Sequence, residues 1–225
     1  MATDNGLTAP GFEIEGDLSD MCLDCVEKAG VDGVGLAVFA HDGTPGTVHA
    51  TNELAARIED LQFTTGEGPC VDAARTGYPV LVPRLSATHQ ERWPAMAREL
   101  TTAGVRAIFA LPIRVGAVSF GSLDLHRLEP GPLSTRQMTE TLRTVDRASE
   151  LLLSAAGEHL EELLPATTYR MVVHQAVGMV MVQLDVGVED AMLRLRAAAY
   201  AEGQSITELA ADIVARRRRL AEEGS

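Results

Sequence analysis

Aromatic residues are scarce in this 225-residue chain: five Phe, three Tyr and one Trp, 4% of the total. Its core must therefore be built from Val, Leu, Ile, Ala and Met. Lysine is nearly absent, since Lys28 is the one lysine among 19 basic residues. No run approaches the ~20 apolar residues that span a bilayer, which argues against a membrane partner. Residues 1–16 hold Asp4, Glu13 and Glu15 but no base, unlike a signal peptide, and are expected to form a disordered lead. Three cysteines are too few for a disulfide framework, so free thiols in a reducing, cytoplasmic setting are expected.

Positive charge is scarce too, with a net charge of −13. Residues 1–165 carry 12 bases against 24 acids and should repel polyanions. Residues 166–225 carry 7 bases against 8 acids, with four of the bases in the run Arg216–Arg219. Only this tail can meet nucleic acid, through a local patch.

Turn formers and apolar periodicity divide the chain. Gly33–Phe39 and Thr47–Thr51 flank the turn-rich segment 41–46 and predict a hairpin. Asn52 can cap a helix reaching Asp60. Gly66–Cys70 is a loop before a helical turn that ends at Gly77, and Val80–Val82 is a short strand. Trp93, Met96, Ala97 and Leu100 predict an amphipathic helix over 92–103. Val105–Leu111 and Val115–Leu125, separated by Pro112 and Gly116, form a second hairpin at the centre of an antiparallel sheet. Ser134-x-x-Gln137 has the form of a capping box. It opens a long helix striped by Leu142, Val145, Ala148, Leu152 and Ala155, which Gly157 breaks or bends. Pro165 marks a boundary. Three helices follow: one capped by Thr167 or Thr168 and ended by Gly187, one over 188–202 stopped by Gly203, and one opened by the capping box Ser205–Glu208.

Phe63-Thr64-Thr65-Gly66-Glu67-Gly68-Pro69-Cys70-Val71-Asp72-Ala73 resembles the signature of actinobacterial GAF domains, as do Arg92-Trp93-Pro94, Gly104–Pro112 and Gly121–Leu125. The tail resembles an ANTAR domain through Gln175–Met179, Ala191 with Leu195-Arg196, and Leu209-Ala210 with Ile213-Val214. The resemblance implies an α+β chain: an antiparallel-sheet GAF sensor domain flanked by helices over 17–164, then an all-α three-helix ANTAR domain over 165–225. It further implies a cytoplasmic regulator and not an enzyme. The ANTAR tail would bind paired RNA stem-loops and promote transcription antitermination, and the GAF domain would sense a small molecule or hold a homodimer. One departure is Val177, where many ANTAR domains carry Lys, which removes a phosphate or loop contact. The alternative is a GAF dimerisation and protein-interaction module without RNA binding. A thiol-dependent reductase would need cysteines converging on a pocket.

The resemblance makes Arg196 an RNA contact, since a guanidinium binds phosphate or stacks on a splayed base. Arg170 and Gln175 flank the apolar stripe of the first tail helix, and Gly178 suggests close approach of another helix or of RNA, helix packing foremost. Arg216 and Arg217 open a run expected to span a helical turn, serving either phosphate attraction or a solvated helix end. Tyr169 and Tyr200, the tail's aromatics, sit at core-like positions. Glu67, Cys70, Phe39, Trp93 and Phe109 can frame a GAF ligand pocket, against the alternative of a structural turn over a closed core. Gly66–Pro69 lacks the spacing and Lys-Ser/Thr of a phosphate loop, and no cofactor is expected. No ligand set at metal-binding spacing appears, so no metal is expected. Cys22 and Cys25 read as half a zinc site, a redox motif or, preferred, buried structural thiols. Cys70 could be a redox-sensing thiol if a helix N-terminus lowers its pKa. Asp124 and His126 share a strand face, with no evident nucleophile beside them.

Overall fold

The computed structural model describes residues 10–39, 45–156 and 165–220. Its first part holds helix α1 (Pro10–Ala29), strands β1 (Gly33–Phe39) and β2 (Pro45–Ala50), helices α2 (Glu53–Thr65) and α3 (Pro69–Thr76), and strand β3 (Val80–Val82). Helices α4 (Ala87–Arg92) and α5 (Pro94–Thr102), strands β4 (Ala107–Val115) and β5 (Val118–Arg127), and helix α6 (Thr135–Ala156) complete that part. Helices α7 (Pro165–Leu184), α8 (Val188–Glu202) and α9 (Ile206–Val214) form the tail. The class is α+β, with a five-stranded antiparallel sheet in the order β2-β1-β5-β4-β3. The two expected hairpins are joined through β1 and β5.

Strand alternation sends the two faces to different partners. Val34, Leu36, Phe109, Leu111 and Leu125 pack with α1 and α6. Ile108 and Ala110 pack with Ile58, Trp93, Met96 and Leu100 from the helices on the other face. Pro112 lies inside β4, opposite Ser122, and does not separate the strands. It is tolerated because β3 pairs β4 only over Ile108–Ala110, which leaves β4 an edge at Pro112.

Several boundaries differ from expectation. Helix α1 begins at Pro10, so residues 10–16 of the assigned lead are helical, while residues 1–9 lie outside the described residues. Gly157 and the 157–164 join also lie outside them. Asn52 caps α2 by accepting from the Ala55 amide at 2.8 Å, but the helix continues to Thr65. The Trp93 helix starts at Pro94, behind the separate α4. Pro165 opens α7, where its missing N–H costs nothing, and Thr167 and Thr168 lie within the helix.

The α6 stripe turns inward. Ser134 and Gln137 close the capping box. Ala148 and Leu152 are buried against α1 and the sheet, Val145 packs on the same cluster, and Leu142 is 46% exposed. Thr141 and Thr144 are also buried, and their hydroxyls donate back to the carbonyls of Gln137 and Glu140. Val145, Ala148 and Leu152 are therefore satisfied within one chain and not available to a second copy, whereas Leu142 is left outside.

The tail packs around Val173, Ala176, Val177, Val180, Leu195, Leu209 and Ile213. Val177 is a core residue, packed with Val173, Ala176 and Val180. Tyr200 is 41% exposed, contrary to its core assignment. The arginine run is not helical. Helix α9 ends at Val214, Arg216 adopts a left-handed φ of 58°, and the amides of Arg216 and Arg217 donate to Ile213 and Asp212 carbonyls at 2.9 and 2.8 Å. This is a Schellman ending with arginine where glycine is preferred. A left-handed non-glycine residue costs roughly 1–2 kcal/mol. Arg216→Gly should therefore stabilise the tail by about 1 kcal/mol in urea unfolding, and a destabilised variant would contradict the left-handed turn.

Candidate functional site

The Gly66–Asp72 segment is pinned at three places. The Glu67 carboxylate accepts from the Ala95 and Met96 amides at 2.8 and 3.0 Å, satisfying orphan donors of the first turn of α5. The Gln62 side chain accepts from the Cys70 amide at 2.8 Å. Asp72 accepts from Trp93 Nε1 at 3.0 Å and Arg92 Nε at 2.8 Å, and pairs with Arg75 at 2.7 Å. Arg92 in turn lies 4.8 Å over the Trp93 ring. Trp93 and Phe109 pack on opposite faces of the sheet, and Phe39 ends β1 opposite Pro45. The five residues expected to frame a ligand pocket thus do not converge. The structural-turn alternative describes Glu67 and Trp93.

A different set converges beneath β1 and β5. Asp124 accepts from Ser122 Oγ at 2.5 Å and from Gln62 Nε2 at 2.6 Å. Glu59 of α2 and Cys70 of α3 bring ligating atoms within 4.8 Å of each other and of Asp124, and all three residues are buried. His126 lies on the same face of β5, also buried. Gly33 and Gly35, cross-strand from His126 and Asp124, make the room. A Cβ at Gly35 would fall 2.2 Å from Glu59 Oε1, and one at Gly33 would fall 2.3 Å from His126 Cε1. Positions 59, 70 and 124 lie on three elements, so no local spacing reveals the trio. The signal in the sequence was the Gly-Val-Gly start of β1 with Asp124 and His126.

Burial governs the chemistry of this set. It pushes Glu59 well above the usual carboxylate range, and the charge of Asp124 adds to the effect. Burial raises Asp124 to about 6 against the lowering by its Ser122 and Gln62 donors. The Cys70 thiol is pushed well up, first by burial and then by the neighbouring carboxylates, so the lowered pKa on which a redox-sensing role depends is not met. Burial likewise lifts Cys22 to about 12 and raises Cys25. Both pack in the α1–α6 core, as structural thiols do.

In the tail, Gln175, Gly178 and Arg216 meet in one open groove of about 740 Å³ between α7 and the chain after α9. Met179, Val182, Val214, Arg218 and Arg219 line it as well. Val182 is 87% exposed, and a Cβ at Gly178 would meet nothing, so among the described residues no helix packs there, against the expectation of close helix packing. Arg217 does not line the groove and pairs with Asp212 at 2.7 Å. Arg218 also pairs with Glu202. The Arg170 side chain lies outside the described residues. Arg196 is elsewhere, half-buried on α8 with its guanidinium against Gly66. There the end of α2 meets the tail: Phe63 packs on the tail core, and Thr64 Oγ1 accepts from the Ile206 amide at 3.4 Å.

The GAF domain family matches residues 18–152 and the ANTAR domain family residues 161–214. Among solved structures, a domain assigned to a two-component sensor histidine kinase from Sinorhizobium meliloti 1021 is similar at 14% identity, with a TM-score of 0.52 over 65% of this chain and 95% of that one. The GAF domain of a phosphoenolpyruvate-protein phosphotransferase from Coxiella burnetii is similar at 16% identity, with a TM-score of 0.51 over 64% of this chain and 85% of that one. These likenesses concern the fold. No curated protein matches. No single described helix is long and apolar enough to cross a membrane.

The raised carboxyls make stability depend on pH. As pH rises above about 4, the unfolded chain releases its carboxyl protons while the folded chain keeps them, so folding weakens up to and beyond pH 6. Glu59→Gln removes one of the two acids. In chelator, its stability relative to wild type should therefore be greater at pH 8 than at pH 5, read as the shift in urea midpoint. An equal difference at both pH values would contradict the buried acid pair.

Proposed function

Because the chain belongs to the GAF domain family and carries an ANTAR domain, we propose that it is a cytoplasmic, signal-responsive RNA-binding regulator. Its tail binds paired stem-loops in nascent RNA and keeps a terminator hairpin from forming. The groove between α7 and the α9 ending is the observation that carries this reading. Three guanidiniums stand beside an apolar floor and an open glycine. Arginine binds phosphate bidentately and stacks on bases, while Val182 and Met179 offer apolar contact to a loop base. The GAF domain receives the input. Arg196 reaches RNA only when α8 leaves α2, so the GAF contact sets its access.

Homodimerisation rests on what α6 leaves outside. Leu142 and Leu153, each 46% exposed, are three turns apart on one side of the helix, and Leu23 of α1 is 48% exposed. Leu142→Glu should convert a micromolar dimer to monomer in sedimentation without lowering its melting temperature. A monomeric wild type would overturn this interface.

Filter binding to a paired-hairpin RNA and a loop-scrambled control, across salt, tests the RNA reading. Replacing Arg218 and Arg219 by Gln should weaken both RNAs and flatten the salt slope by about one to two. Gly178→Ala should stabilise α7 by about 1 kcal/mol yet weaken RNA binding, because its methyl enters the groove. Wild-type protein that binds neither RNA would instead favour a protein-interaction module.

A further inference from the structure

The acid pair beneath β1 and β5 is short of positive charge. Ser122 and Gln62 both donate to Asp124, and neither brings a positive charge. Glu59 is 2% exposed, and its side-chain hydrogen-bond partner is the other acid, Asp124. His126, also 2% exposed, leaves Nε2 without one. Glu59, Asp124 and His126 border a single void against Gly35 that is too tight for an organic effector. Two buried acids in contact cannot both ionise without a counter-charge. A shared proton is one such charge, and a bare cation is another.

The donor set discriminates between cations. Two carboxylates and a thiol within 4.8 Å of one another combine hard oxygen with soft sulfur. Calcium and magnesium need six or more oxygen ligands, whereas zinc is four-coordinate and takes three protein ligands of mixed type at ~2.0–2.3 Å with a water as the fourth. We infer that Glu59, Cys70 and Asp124 form a binding site for a thiol-tolerant divalent cation of the zinc class. The inference stands apart from RNA binding.

The charges balance. Before binding, one carboxyl and the thiol are protonated and the second carboxyl is ionised, for a net charge of minus one. The cation displaces the carboxyl proton and the thiol proton, and three anionic ligands around a divalent ion again leave minus one. Two protons therefore leave for each cation bound. Burial keeps the thiol protonated without metal, so the thiolate forms only on coordination.

The test uses the full chain, stripped with chelator and titrated with Co²⁺ and Zn²⁺. One equivalent of Co²⁺ should give a near-ultraviolet thiolate-to-cobalt charge-transfer band, displaced by Zn²⁺, with about two protons released per ion. Cys70→Ser should abolish the band. Glu59→Gln should weaken the affinity at least tenfold, and the double variant Cys22→Ala/Cys25→Ala should keep the band. If Cys70→Ser fails to fold, the Glu59 variant and the double variant still decide. Absence of the band in wild type, or a band that follows Cys22 and Cys25, would overturn the site.

Discussion

The side-chain amide of Gln62 fastens the helices of the sensor part to the sheet. Its oxygen takes the Cys70 amide and its nitrogen donates to Asp124, so one residue of α2 fixes the start of α3 and the middle of β5. Both bonds are buried, where leaving either partner unsatisfied costs about 1–3 kcal/mol. From this point the structure extends outward. Glu67 and Asp72 carry the α3 segment on to α5 and Trp93. The next two residues of α2 after Gln62, Phe63 and Thr64, reach the tail. The same helix that roofs the buried acids thus ends against the ANTAR helices, which places any change at Glu59 one element away from Arg196.

Charge is distributed unevenly between the two parts. The sensor part carries the excess of acid and hides two carboxyls beneath its sheet. The tail is nearly neutral, yet the arginine run is folded back by a left-handed turn, so that three of its four side chains line one groove. A continuous helix would have spread those charges around its axis. Pairing of Arg217 with Asp212 and of Arg218 with Glu202 tempers the patch, so its strength depends on salt.

Much of this architecture was legible in the sequence. Helix α8 and its Gly203 stop, the capping boxes at Ser134 and Ser205 and the two hairpins followed from periodicity and end signals. These are local rules, and local rules were obeyed. What failed was decided at a distance. Leu142 and Leu152 share a period but differ in exposure, because α1 covers only one side of α6. Pro112 seemed to end a strand, yet it is accommodated because β3 is short. The trio Glu59, Cys70 and Asp124 is assembled from three elements by two glycines that appear only as an unremarkable start to β1. Arg196 was chosen by resemblance, and its packing against Gly66 is set by where the two parts touch.

The proposed RNA site is the groove between α7 and the α9 ending, while the α8 face around Arg196 packs against the sensor part. Hydrogen exchange of the full chain, with and without a paired-hairpin RNA, addresses this most directly. Protection on RNA addition should appear across residues 175–183 and 213–219. Protection confined to α8 around Arg196, or absent altogether, would contradict it.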